Sequence, residues 1–399
     1  MTKGKTGNSK FLKAYNETYI LNLIRVNKSL SRADISKATG LSPTAAGGIV
    51  SSLIEKGYLC ENGTGESKGG RRPVMLELKK NSRYSIGLDV DVDSVTFILM
   101  DIKGRVVFEW SSALVDNRPA AVASLAAEEI ERVLSDCRIH KDKLLGIGIS
   151  VPGMVDAETR RVVLAPNLSW EDADFGRMLR EKIELPVYIE NEAMASAICE
   201  NWIGACKSVD NFICVNIKSG IGAGIFTGGR PYRGTGGSAG EVGHIVVDEN
   251  GLACGCGNHG CLETIVSTGR IVEKAEKLIK KGLKSQLNEI ENVSKVRLSN
   301  IVDAARSGNQ AAGGLLEEAA GYLGIALSYL VNTLNPSKIV LGKDFVVYGD
   351  LVMDTLRRVV DRKALKRPAA NVEIAVSEIG ERSSTLGAAI IPLKILFGS

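Results

Sequence analysis

Gly236-Gly237-Ser238-Ala239-Gly240-Glu241-Val242-Gly243-His244, then Cys254-Gly255-Cys256-Gly257-Asn258-His259-Gly260-Cys261-Leu262-Glu263, is the stretch on which the reading of this chain turns. His244, Cys254, Cys256 and Cys261 form H-x9-C-x-C-x4-C. Three thiolates and one imidazole are the donor set of a closed, four-coordinate zinc site. Gly255, Gly257 and Gly260 allow the tight loop that such spacing needs. Thiols merely buried in a core have no reason to cluster and interleave with glycine in this way. His259 is an alternative fourth ligand in place of His244. Four protein ligands leave no position for water, so the expected role of the metal is structural.

Outward from this loop the pattern is α/β. Ser85–Leu88, Val95–Met100 and Val106–Trp110 read as a strand meander, residues 120–137 as a helix, and Leu144–Val151 as a buried strand. A second strand-rich block runs from Phe212 to Tyr232 and resembles the first in style. Helical patterns dominate from Ser267 to Leu334, and Ile339-Val340-Leu341-Gly342 is a further buried strand. This describes an α/β body of two lobes.

The N-terminal region differs in both charge and pattern. Residues 1–80 hold 14 Lys and Arg against 6 Asp and Glu, whereas residues 81–399 hold 36 against 40. A basic unit on a mildly acidic body points to a polyanion met by the first unit alone. Three short helical patterns lie between residues 12 and 57. The second has Ser31 as N-cap and Asp34 in its first turn; the third opens with Ser42 and Pro43. Joined through Thr39-Gly40-Leu41, they predict a helix-turn-helix, whose second helix enters the major groove of DNA with its first residues nearest the bases. Those residues are Ser42, Thr44, Ala45 and Ala46, with Arg32 and Lys28 suited to phosphate. Tyr58–Glu61 and Val74–Leu78 read as the arms of a wing. Its tip, with Lys68 and then Gly69-Gly70-Arg71-Arg72-Pro73, is thin and cationic enough for a minor groove. Gly47 and Gly48 inside the recognition helix each cost about 1 kcal/mol relative to Ala.

The composition, 44% hydrophobic and 24% charged, is that of an ordinary globular protein. No apolar run reaches the roughly 18 residues of a membrane span, and the polar, basic start lacks a signal peptide's apolar segment. The expectation is a cytoplasmic protein without a membrane partner, in which clustered Cys serve metal before disulfides.

The two stretches quoted at the outset match the signature and zinc loop of the ROK family, named for repressors, open reading frames and kinases; the chain resembles its repressors along essentially its whole length, the xylose-repressor branch above others. The resemblance implies a winged helix-turn-helix at 1–80 followed by an actin-like, two-lobed sugar-kinase fold: a small lobe at 81–200, rejoined by a C-terminal helix at 384–399, and a large lobe at 201–383 with the zinc loop and a dimerisation surface. It implies that Glu241, His244 and Glu263 contact sugar hydroxyls. Pro152-Gly153-Met154-Val155-Asp156 and Ala165-Pro166-Asn167-Leu168 match two further cleft segments, which puts Gly153 and Asn167 near the sugar.

The departures from the kinases decide between enzyme and sensor. Where the kinases carry D-x-G-G-T, whose glycines bring backbone N–H groups to ATP phosphates, this chain has Asp89-Val90-Asp91-Val92-Asp93-Ser94. A misplaced carboxylate about 4 Å from a phosphate charge costs on the order of 4 kcal/mol at an effective dielectric near 20. The second phosphate loop survives as Ser219-Gly220-Ile221-Gly222-Ala223-Gly224. Lys343 stands where the kinases have a second Gly beside adenosine. Asn191-Glu192 replaces Asn-Asp, whose Asp is the general base; the longer side chain can still meet a sugar hydroxyl. The expectation is a repressor, not an enzyme, with structural zinc and no ATP. It binds operator double-stranded DNA as a homodimer, with further pairing left open, and is released by a sugar inducer. Xylose is the first choice, with glucose and N-acetylglucosamine behind it. The alternatives are an ATP-dependent sugar kinase with a DNA-binding head, and a repressor that answers to a phosphosugar or a partner protein.

Overall fold

A computed structural model describes residues 9–66, 72–280 and 296–398. The head comprises α1 (Ser9–Asn27), β1 (Leu30–Ser31), α2 (Arg32–Thr39), α3 (Pro43–Glu55), β2 (Leu59–Thr64) and β3 (Val74–Leu78), with the strands ordered β1-β3-β2. The caps set the helix starts. Ser31 Oγ accepts the Asp34 N–H at 3.1 Å while Asp34 Oδ2 accepts the Ser31 N–H at 3.0 Å, a reciprocal box worth about 1 kcal/mol. Ser42 Oγ accepts the Ala45 N–H at 3.2 Å and opens α3. Ile20, Ile24, Ile35, Val50, Leu53 and Leu76 fill the space between helices and wing.

Ala46 is fully buried in this same core, at 0% exposure. Its expected contact with base edges is therefore corrected: the pitch of α3 turns it inward, against the rest of the head.

The body repeats one topology twice. Its first half has β4 (Tyr84–Val90), β5 (Ser94–Asp101), β6 (Val106–Ala113), α4 (Pro119–Asp136), β7 (Leu144–Val151), the small sheet β8 (Met154–Asp156), β9 (Arg161–Ala165) and β10 (Trp170–Ala173), then α5 (Phe175–Ile183), β11 (Val187–Asn191) and α6 (Glu192–Trp202). The main sheet runs β11-β7-β4-β5-β6, with an antiparallel meander at one side and parallel strands at the other. The second half has β12 (Phe212–Ile217), β13 (Ile221–Thr227), β14 (Arg230–Tyr232), α7 (Glu263–Val266), α8 (Thr268–Lys280), α9 (Leu298–Arg306), α10 (Gln310–Leu334), β15 (Lys338–Lys343), α11 (Phe345–Lys363), α12 (Lys366–Asn371), β16 (Glu373–Val376) and α13 (Ser383–Phe397). Its sheet, β14-β13-β12-β15-β16, has the same order and the same senses of pairing.

The helices that follow the last strand of each half, α6 and α13, cross between the sheets. α13 belongs to the second half by sequence but packs on β4 and β7 of the first. At the crossing of the two helices, a Cβ on Gly387 would lie 1.8 Å from the Ala195 carbonyl oxygen, so only glycine permits the approach. One continuous apolar cluster runs from Ile20 and Ile24 of α1 to Trp202 of α6 and Phe397 of α13. The head is thus joined to the body through buried side chains.

Candidate functional site

Between the halves lies a cavity of about 330 Å³. All seven residues expected at the sugar line it: Gly153, Asn167, Asn191, Glu192, Glu241, His244 and Glu263. The local fold explains their convergence. Asn191 ends β11 and caps α6, its Oδ1 accepting the N–H groups of Ala193 at 2.8 Å and Met194 at 3.2 Å. Its Nδ2 donates to the Gly153 carbonyl at 2.8 Å, which ties two cavity segments together. Gly153 has φ +148°, and a Cβ there would lie 2.4 Å from the Leu164 carbonyl oxygen, so a side chain is excluded. Asn167 lies exposed in the single turn Pro166–Leu168, and Glu263 opens α7. Burial raises the Glu241 carboxyl above its ordinary range; His244 opposes this and Glu263 adds to it. The wall therefore offers carboxylates, amides and an imidazole, groups that pair with sugar hydroxyls as donors and acceptors.

His244, Cys254, Cys256 and Cys261 bring one ligand atom each to within 4.8 Å of one another. Cys256 and Cys261 Sγ are 3.7 Å apart, and Cys254 Sγ is 3.6 Å from His244 Nδ1. Metal–sulfur bonds of about 2.3 Å in a tetrahedron place sulfurs about 3.8 Å apart. The four groups fit a metal ion, and His244, not His259, is the imidazole of the cluster. Glu263 Oε1 accepts from Cys254 Sγ at 3.0 Å, so the cluster and the cavity share a wall. Among the described residues His244 Nε2 has no hydrogen-bond partner, which leaves it for a ligand while Nδ1 faces the thiols.

On the phosphate side, side chains of the protein pair with one another. The β4–β5 and β12–β13 turns are equivalent in the two halves, and Asp91 of the first forms an ion pair with Lys218 of the second. The pairing lowers the Asp91 carboxyl, against burial, and raises the Lys218 ammonium, also against burial. Val92 and Asp93 at the tip of the first turn are exposed. The change at this turn is thus a cross-lobe ion pair, with Asp91 already neutralised.

Lys343, 3% exposed at φ +58°, turns its ammonium inward. It donates to Glu381 O at 2.9 Å and Ser384 Oγ at 2.7 Å, and pairs with Glu192 Oε1 at 3.0 Å. Burial opposes its charge, but Glu192 and Asp89 outweigh it and raise its pKa. Asp89 is half-buried, and its carboxyl is raised chiefly by that burial. The sequence marks Lys343 as a replaced glycine but not its capture of Glu192. It also gives no sign of Arg233, which closes a second cross-lobe pair at 2.5 Å onto buried Glu190.

On the head, Ser42, Thr44 and Ala45 are exposed at the start of α3. Gly48 and Ser51 continue the same exposed face, which helical spacing from Ala45 signals. Arg32 pairs with Glu61 of the wing at 2.9 Å, a partly exposed pair weak enough to yield to a phosphate. Arg72 is exposed, whereas Lys68 and Arg71 lie outside the described residues.

A family model for the ROK family matches residues 85–395, and one for a winged helix-turn-helix DNA-binding unit matches 19–59. The chain belongs to the ROK family, with an N-terminal winged head and the two-lobed actin-like body. It is 35% identical over 382 residues to the xylose repressor of Caldicellulosiruptor bescii, covering 96% of each chain. A solved ROK family transcriptional regulator, a homolog of the E. coli MLC protein, superposes with TM-score 0.86 at 26% identity over 97% of each chain. A ROK glucokinase from Streptomyces griseus, solved with glucose and AMPPNP, covers 98% of its own length and 77% of this chain, with TM-score 0.66 and 28% identity.

Proposed function

We propose that this chain is a sugar-responsive transcriptional repressor that binds operator DNA and releases it when a sugar occupies the cavity. The observation that carries this reading is the contrast within one cleft. Seven residues expected at the sugar line the cavity, while Asp91 pairs with Lys218 at the phosphate turns and Lys343, at the adenosine position, holds Glu192. An aspartate free to deprotonate a hydroxyl is replaced by a glutamate bound to an ammonium, so sugar binding outlasts phosphoryl transfer and the protein is not an enzyme.

In this reading Glu241, Glu263, Asn167 and His244 grip hydroxyls, and Asn191 and Gly153 shape the pocket. Zinc on His244, Cys254, Cys256 and Cys261 supplies a structural anchor that fixes the imidazole at the cavity wall. Two heads of a homodimer meet a palindromic operator, with Ser42, Thr44 and Ala45 of α3 in the major groove. Arg32 lies on the backbone, and Lys68, Arg71 and Arg72 of the wing tip reach the minor groove. D-xylose is the inducer favoured by the likeness to the Caldicellulosiruptor repressor. A cytoplasmic setting accords with a DNA partner; no helix among the described residues is long and apolar enough to cross a membrane.

The test is a gel-shift titration of operator complexes with D-xylose, D-glucose, N-acetylglucosamine and their phosphates, alongside labelled ATP. A neutral sugar is expected to release the DNA with no sugar phosphate formed. Release by phosphosugars alone would replace the neutral inducer by its phosphate. Turnover at about 1–100 s⁻¹, the usual kinase range, would overturn the reading.

A further inference from the structure

Glu192 is the first residue of α6 and Trp202 the last, so one helix about 16 Å long runs from the cavity wall to the head. At its far end the Arg25 guanidinium of α1 lies 3.8 Å from the centre of the Trp202 ring and 5.6 Å from that of Phe397. The Trp202 and Phe397 rings are 5.9 Å apart and buried. α13 makes the same journey. Ser384 in its first turn accepts from Lys343, which also holds Glu192, and Phe397 at its end belongs to the Arg25 stack. Two helices therefore start at one ionic cluster beside the sugar and finish at one cation–aromatic stack on the head. The close approach of Gly387 to the Ala195 carbonyl locks them together within their first two turns. A displacement of one is passed to the other, because a close-packed interior shifts between discrete arrangements instead of yielding locally.

Arg25 is also turned away from a phosphate-binding role. Its Nε donates to Asn22 Oδ1 at 3.0 Å, and the guanidinium faces the body. We propose that Arg25 is the positioning residue through which occupancy of the cleft reaches the DNA-binding head. A sugar hydroxyl that bonds Glu192 competes with Lys343 for the carboxylate, shifts the start of α6, and changes the seat of Trp202 under Arg25. This rests on the reading of the cavity as an inducer site.

The experiment compares full-length wild type with Arg25→Ala, Arg25→Lys, Trp202→Phe and Trp202→Leu. Operator affinity is read by fluorescence anisotropy on a duplex that the wild type selects from a randomised pool. It is measured with and without saturating D-xylose, D-glucose or N-acetylglucosamine, and sugar affinity is read by calorimetry. Arg25→Ala is expected to keep both affinities within about threefold, while the factor by which sugar weakens DNA binding falls at least about fivefold. Arg25→Lys, which keeps charge but not the planar stack, is expected to follow it, and Trp202→Phe to retain most of the coupling. An unchanged coupling factor in Arg25→Ala, or an equal loss of DNA affinity with and without sugar, overturns the proposal. If Arg25→Ala does not fold, Trp202→Leu against Trp202→Phe decides, and equal coupling in the two refutes it. Failure of the inducer-site reading shows in the wild type alone, as DNA affinity indifferent to every sugar, and takes the proposal with it.

Discussion

Replacing Lys343 with methionine keeps the aliphatic stem and removes only the ammonium. The structure sets the size of the effect. Lys343 is 3% exposed and Glu192 22%, and the ammonium also satisfies Ser384 Oγ and the Glu381 carbonyl. Removing one partner of such a buried pair costs about 3–5 kcal/mol, because the other charge stays behind without compensation. At about 2–4 °C per kcal/mol for domains of 150–250 residues, and less for larger units, the melting midpoint is expected to fall by about 5–10 °C at pH 8. The sign of the pH dependence follows from Asp89, whose carboxyl burial raises while the Lys343 charge opposes the rise. With no ammonium beside it, the folded state binds more protons at Asp89, and the variant's stability falls as pH rises through that window. In the wild type the raised Lys343 pKa gives stability that is lost only on the alkaline side of the ordinary lysine value, so it is flat there. The deficit of Lys343→Met should therefore shrink between pH 8 and pH 5, and Lys343→Met with Glu192→Gln should recover much of it. Differential scanning fluorimetry in matched buffers measures all three. A midpoint within about 1 °C of wild type, or no rescue by Glu192→Gln, would refute the account of this cluster.

Purified protein should carry one tightly held zinc per chain, read by elemental analysis. Cys256→Ser should lower both the metal content and, through His244, sugar affinity by about tenfold or more. Ala45→Glu should weaken operator binding by at least about tenfold in anisotropy while leaving the melting midpoint unchanged, as like charge meets phosphate. Ala46→Glu, at a buried position, should destabilise the head itself, seen as lost cooperativity in circular dichroism. Burial lowers the Lys394 ammonium to about 8, with Arg25 and Arg233 adding to it. A depressed lysine destabilises the fold below that pH, so stability should rise from pH 8 towards 10 in wild type relative to Lys394→Met.

The parts legible in the sequence are those whose partners lie close along the chain. The thiols sit within one short loop, and the cap pairs Ser31–Asp34 and Ser42–Ala45 within one turn each, so spacing alone reports them. The strands were legible because the two meanders alternate with turns that no helix tolerates. The phase of α3 was not, since burial of Ala46 depends on how α1, α2 and β2 pack against that helix. Nor was the direction of Lys343: its backbone adopts φ +58°, and the groups that receive it come from α6, α13 and the turn before α13. The cross-lobe pairs Asp91–Lys218 and Arg233–Glu190, and the stack of Arg25 on Trp202, join residues far apart in the chain, where periodicity carries no information.

The most direct test is calorimetric titration of the inducing sugar into the free protein and into the protein saturated with operator duplex. Binding linkage requires DNA to weaken sugar binding by the same factor by which sugar weakens DNA binding, expected between about 5-fold and 150-fold. Equal sugar affinity in the two titrations would mean that cleft and head are not coupled, and the cavity would then be no inducer site.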